Sequence, residues 1–287
     1  MARFNLREFV ALSCILSSTT VVSITLPSQA AVLHNDWSYS IDSFNDGMSG
    51  HIVGGTKYEI YGTAIKQTRD RIFMAINANT PLEGVHSDYA HDNQVSWGDL
   101  FFNFSGQDLN TASANGNLFG VRFSSNNESA APSLGVFGNV TATDVANQNG
   151  LLLDNLSAYN NWVTSHGGTP SIGDFSATDP YFDQSRHVQN VIASGTKLGD
   201  INFVSDVSTL GLDFTHFNAT GNHTFAFSFD SSLFSTGDFL YHLGLECDND
   251  ITGGIGEVKD VPEPSSLISL VTLGLVCTGL RLRKSVV

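Results

Sequence analysis

The chain has 287 residues, of which 41% are hydrophobic, 10% aromatic and only 14% charged, with 20 Phe and 27 Gly. This composition excludes a disordered chain, and the length admits one large domain or two small ones. Between residues 32 and 280, eight basic residues face 27 acidic ones; such a body repels nucleic acid and anionic membranes and suits cations and solubility outside the cell.

The N-terminus predicts export. MARFNLR supplies two positive charges, residues 9–26 form an apolar-leaning core, and PSQAA places Ser28 and Ala30 as the small residues of a cleavage site. Residues 1–31 read as a signal peptide, cut after Ala30 or Ala31. Cys14 lies in this signal and Cys277 near the C-terminus, so Cys247 alone remains in the body. No internal disulfide is then available, and a core must hold residues 32–252 together.

Strand signals follow in order. YEIYGTAI (58–65) and RIFMAINA (71–78) flank the polar KQTRD and predict a hairpin. Leu100, Phe102 and Phe104 share one face of DLFFNF, and Phe119, Val121 and Phe123 one face of LFGVRF. Leu134, Val136 and Val140 fit one period in LGVFGNV. A short helix is expected around 150–158. Phe225, Phe227 and Phe229 alternate through TFAFSF, and FLYHLGLEC (239–247) sets Phe239, Tyr241, Leu243, Leu245 and Cys247 on one face. The expected fold is all-β, an antiparallel β-sandwich or jelly roll.

GGIGEVKD, residues 253–260, reads as a flexible linker. Beyond it, Val261-Pro262-Glu263-Pro264 precedes a 14-residue apolar run, Leu267 to Leu280, then Arg281, Arg283 and Lys284. As a helix that run covers about 21 Å, short of a full span, and extending it back over 265–280 only approaches the length needed. The basic cluster would stay in the cytoplasm and leave the body outside. Pro262 and Pro264 keep the chain before the helix extended and accessible.

This order of parts resembles the PEP-CTERM sorting signal, in which an exosortase cuts near the Pro-Glu-Pro motif. The resemblance implies that residues 261–287 form a sorting segment that sits in the membrane only transiently. It implies delivery to the cell surface or the extracellular polysaccharide matrix of a bacterium. IDSFNDG (41–47), WGDLFFNFSG (97–106) and FLYHLGLECDNDI (239–251) also resemble a group of exosortase-dependent surface proteins, cyanobacterial examples among them, which implies one continuous domain.

Candidate sites are few. ECDND gathers Glu246, Asp248, Asn249 and Asp250 at a strand end, hard oxygen ligands suited to Ca²⁺; a charged turn closing the strand is the plainer alternative. No other cofactor is expected. Asp42, Asp46 and Gly47 fit an EF-hand loop at positions 1, 5 and 6, but Phe44 fails position 3 and Val53 stands where the terminal Glu belongs, so that pattern is rejected. HSDYAHDN packs His86, Asp88, His91 and Asp92 into one loop without a familiar metal spacing. Trp37, Trp97 and Trp162 would stack on sugars if exposed and fill the core otherwise. No catalytic motif is present. The expectation is a non-enzymatic structural or adhesive protein, with a carbohydrate-binding module as the alternative and a carboxylate-dependent hydrolase behind it.

Overall fold

A computed structural model describes residues 31–151 and 153–260. The signal peptide with Ala30, and the sorting segment with Pro262, Glu263, Pro264, Arg281, Arg283 and Lys284, lie outside the described residues. Among the described residues, no helix is long and apolar enough to cross a membrane.

Twelve strands build two antiparallel sheets. They are β1 (Val32–His34), β2 (Trp37–Ile41), β3 (Ile60–Gln67), β4 (Arg71–Ala78), β5 (Leu100–Asn103), β6 (Leu118–Arg122), β7 (Gly135–Thr143), β8 (Val191–Gly199), β9 (Asn202–Phe203), β10 (His223–Asp230), β11 (Gly237–Gly244) and β12 (Ile251–Val258). The first sheet has the order β1-β2-β3-β4-β10-β9 and the second β8-β7-β6-β5-β11-β12. The β3–β4 hairpin forms as its alternation requires, with Ala64 opposite Ala75. TFAFSF lies in β10, paired along its length with β4.

The inward faces of both sheets meet in one buried cluster. Ile60, Met74, Ile76, Phe227 and Phe229 come from the first sheet, and Leu100, Phe102, Val121, Tyr241 and Leu243 from the second. Phe102 meets Phe229 edge-on at 6.2 Å, and the Tyr241 hydroxyl hydrogen-bonds Thr63 Oγ1 at 2.7 Å. The outward faces are covered as well. Helix α1 (Leu109–Ala114), helix α2 (Leu156–Ser165) and the 171–188 loops lay Leu109, Leu156, Val163, Phe175 and Phe182 over Phe101, Leu118 and Ile192. Phe214 and Ala219 cover Trp37, Tyr39 and Ala226 on the first sheet. Helix α2 starts at Leu156 because the Asn155 side chain accepts from the Ala158 N–H, a hydrogen-bonded N-cap, so the expected helix lies several residues further on than 150–158.

Two further expectations are corrected. Val136 and Val140 do not share a face: Val136 enters the inter-sheet cluster and Val140 the outer one. The registers of β7 against β6 and β8 shift between them, and Asn139 sits at φ 51°; a bulge inserts a residue and reverses the side-chain alternation. Residues 253–260 are not a linker. Most of them belong to β12, which pairs with β11 from Gly244↔Ile251 to Gly237↔Val258. Its glycines make room for rings: a Cβ on Gly254 would lie 2.5 Å from the Tyr241 hydroxyl, and one on Gly256 would strike the Phe239 ring.

Candidate binding groove and carboxylate sites

The ECDND turn does not assemble the four-ligand calcium site its spacing suggests. Strand β11 ends at Gly244, Leu245 bridges Trp97, and the chain reverses through Asp248 at φ 48° into β12. The Glu246 carboxylate accepts from the Ser96 N–H at 3.0 Å and the Glu128 N–H at 2.6 Å, tying two loops together. Burial, with Glu128 beside it, pushes its carboxyl up to about 10. Asp248 accepts from Asn190 Nδ2 at 2.9 Å, and burial raises its pKa strongly. The Asn249 carbonyl accepts from the Met48 N–H at 2.9 Å. Each of these groups is spent on a different neighbour. Asp250 joins a three-acid group: its carboxylate lies with those of Asp46 and Glu59, their oxygens within 4.8 Å of one another and all three residues buried. Glu59 is legible in sequence only as one acid inside the apolar YEIYG, 191 positions before Asp250 in the chain.

The three tryptophans separate. Trp37 and Trp97 are 1% and 0% exposed, their indole N–H groups donating to the Leu210 and Pro81 carbonyls. Both are core residues. Trp162 is half-buried on α2 and stacks on His166 at 4.1 Å between ring centres; His51 lies 5.6 Å away. The spacing follows from the helix, since 162 and 166 are one turn apart and share a face.

Trp162 and His51 line a groove of about 670 Å³, together with Met48, Lys57, His86, Asp88 and Tyr89. HSDYAHDN contributes His86, Ser87, Asp88 and Tyr89 to the lining. His86 Nε2 pairs with Asp88 Oδ1 at 2.9 Å, and Asp92 accepts from the Gln94 N–H to close the loop, so these residues do not gather around one metal position. Tyr89 holds its ring 80% exposed at the groove edge. Lys57 Nζ donates to the His86 carbonyl at 2.6 Å. Asp88 is the only carboxylate lining the groove among the described residues. A second surface group, His34, Asp213 and His216, is held by ring stacking at 4.0 Å, with Asp213 also accepting from the His216 N–H in a 3₁₀ turn. Cys247 is buried and its thiol pushed well up by burial, a structural thiol as its alternation suggests.

The last described residues lead directly into the sorting motif. Beyond Val258, Gln67 grips Lys259 twice: Gln67 Nε2 donates to the Lys259 carbonyl at 2.8 Å, and the Lys259 N–H donates to Gln67 Oε1 at 2.9 Å. Residues 260–284 match the PEP-CTERM protein-sorting motif. A match to that motif marks a class, the surface proteins that exosortase sorts. This chain is a PEP-CTERM protein of that class, with export and cell-surface association following from the motif and with Pro262, Glu263, Pro264, Arg281, Arg283 and Lys284 inside the match. No curated protein and no solved structure matches the chain.

Proposed function

We propose that the exported domain, residues 32–260, is a non-enzymatic adhesive or structural element of the cell surface and extracellular matrix, and that it holds extracellular polysaccharide in the groove beside Trp162. The two sheets sharing one aromatic core are read as a β-sandwich, a rigid platform whose loops carry the contact residues. The carrying observation is that Trp162, stacked on His166, and His51 line the same groove as the exposed Tyr89. Flat aromatic rings offer apolar faces to the C–H surfaces of sugars, while His86, Asp88 and Lys57 supply hydrogen-bond partners for hydroxyls. Export with a transient membrane stop would deliver this groove where polysaccharide is found.

Hydrolysis is a weaker reading. Glycosidases flank the scissile bond with two carboxyl groups, and the groove lining has only Asp88. Binding of the exported protein to the polysaccharide of its own producing cells tests the proposal. Tyr89→Ala and Trp162→Ala are expected to weaken binding at least tenfold while the far-UV spectrum stays unchanged. Undiminished binding in both variants, or no binding by the unaltered protein, overturns it.

A further inference from the structure

Three carboxylates are buried together where the loop after β2, the start of β3 and the start of β12 converge. Asp46, Glu59 and Asp250 are each fully buried, with oxygens within 4.8 Å of one another. Asp42 is joined to Asp46 through Ser171, whose Oγ–H donates to Asp42 Oδ1 at 2.5 Å and whose N–H donates to Asp46 Oδ2. Among the described residues, no Lys, Arg or His forms an ion pair with any of the four. A single uncompensated buried charge costs several kcal/mol, so a group of this kind needs either protons or a cation.

The hydrogen bonds hold the carboxylates in place without saturating them. Glu59 Oε2 accepts from the Gly55 N–H at 2.7 Å and Oε1 weakly from the Asp46 N–H at 3.4 Å. Asp250 accepts from the Ile60 and Ile251 N–H groups at 2.6 and 2.8 Å. Asp46 Oδ2 accepts from the Ser171 N–H at 2.8 Å. Asp46 Oδ1 has no partner, although Asp46 is fully buried and the atom is sealed from solvent; Asp42 Oδ2 is sealed and unpaired in the same way. A buried acceptor left without a donor is costly and calls for a ligand. Every donor atom in the group is a carboxylate oxygen, with no imidazole or thiolate, which favours a hard cation. Oxygens on opposite sides of Ca²⁺ lie up to about 5 Å apart, whereas around Mg²⁺ the limit is about 4.2 Å. Oxygens that all lie within 4.8 Å of one another fall inside the Ca²⁺ limit, and Mg²⁺, which keeps several of its waters, suits a cage sealed from solvent less well.

We infer that Asp46, Glu59 and Asp250 form a buried Ca²⁺ site, supported by Asp42, that fastens the loop after β2 and the start of β3 to the last strand of the second sheet. The ECDND turn contributes one ligand to it, Asp250. The second ligand comes from the IDSFNDG loop, whose EF-hand spacing fails, and the third is Glu59, which neither motif contains. An exported protein would meet Ca²⁺ at the concentrations that extracellular modules use.

The test uses the exported protein isolated from its producing cells. Elemental analysis is expected to find about one calcium per chain, and dialysis against EGTA to lower the thermal midpoint in a way that added Ca²⁺, but not Mg²⁺ at the same concentration, reverses. Glu59→Gln is expected to weaken Ca²⁺ binding at least tenfold, whereas Asp248→Asn, in the ECDND turn but outside the site, leaves it within twofold. Should Glu59→Gln fail to fold, Tb³⁺ luminescence on the unaltered protein, quenched by competing Ca²⁺, supports the site. Protein that carries less than a tenth of an equivalent of calcium and shows no Tb³⁺ signal overturns the inference. So does Asp46→Asn that raises the thermal midpoint regardless of Ca²⁺, because protons alone would then have been neutralising the group.

Discussion

His242 shows how a single buried side chain gives the domain a pH dependence. Its ring stacks on Phe101 at 5.2 Å, Nε2–H donates to the Gln189 carbonyl at 2.9 Å, and Nδ1 has no partner. A carbonyl can only accept, so the neutral Nε2–H tautomer is the one present. Burial lowers the pKa from 6.5 to about 4. The unfolded chain therefore takes up a proton near pH 6.5 while the folded protein resists until about pH 4. Stability tied to this residue is complete above pH 6.5 and is lost as pH falls through that window, amounting to about 2–3 kcal/mol by pH 4.5. His242→Phe is expected to remove this loss. Urea unfolding of both proteins at pH 7 and 4.5 measures it, and an equal decline in the two would show that His242 does not carry it. The residue scale is also where the sequence is least informative. Trp37, Trp97 and Trp162 look alike in the chain, and only the covering segments decide that two are core and one borders a groove.

At the scale of elements, glycine spacing is what misleads. GGIGEVKD has the composition of a flexible spacer, yet Gly253, Gly254 and Gly256 lie in β12 because Phe175, Tyr241 and Phe239 press onto that strand. Gly254→Ala and Gly256→Ala are each expected to cost about 1–3 kcal/mol through overpacking, read as a lower urea midpoint at unchanged slope. A true spacer would tolerate both without change. The phenylalanine alternation in β10 is legible because that pattern and the inter-sheet core coincide. The alternation in β5 is legible only for one side. Leu100 and Phe102 face the inner core as their period requires, but Phe101 is buried too, under the layer that α1, α2 and the 171–188 loops form. Burial on both faces erases the polar half of the pattern. The carboxylate group is hidden for a related reason: Asp46 and Glu59 lie 13 residues apart, Asp250 is distant from both, and no known motif spacing records their meeting.

For the whole molecule, the junction between body and tail constrains how sorting can work. Gln67 holds Lys259 by paired hydrogen bonds, and the matched motif begins at residue 260, so only Asp260 and Val261 separate this clamp from Pro262. At no more than about 3.6 Å per residue, this connection places the Pro-Glu-Pro motif close to the folded body when the protease engages it. Two outcomes follow for the full-length chain in cells that make exosortase. Replacing Pro262, Glu263 and Pro264 with alanine is expected to leave the protein uncleaved and in the membrane fraction, as blotting of fractionated cells would show; normal release with an unchanged mature C-terminus would contradict the sorting role. Gln67→Ala is expected to act differently. It leaves the motif intact and frees Lys259, lengthening the reachable segment, so cleavage should be as fast as in the unaltered chain or faster. Slower processing in that variant would mean that the protease reads the Gln67–Lys259 clamp together with the motif.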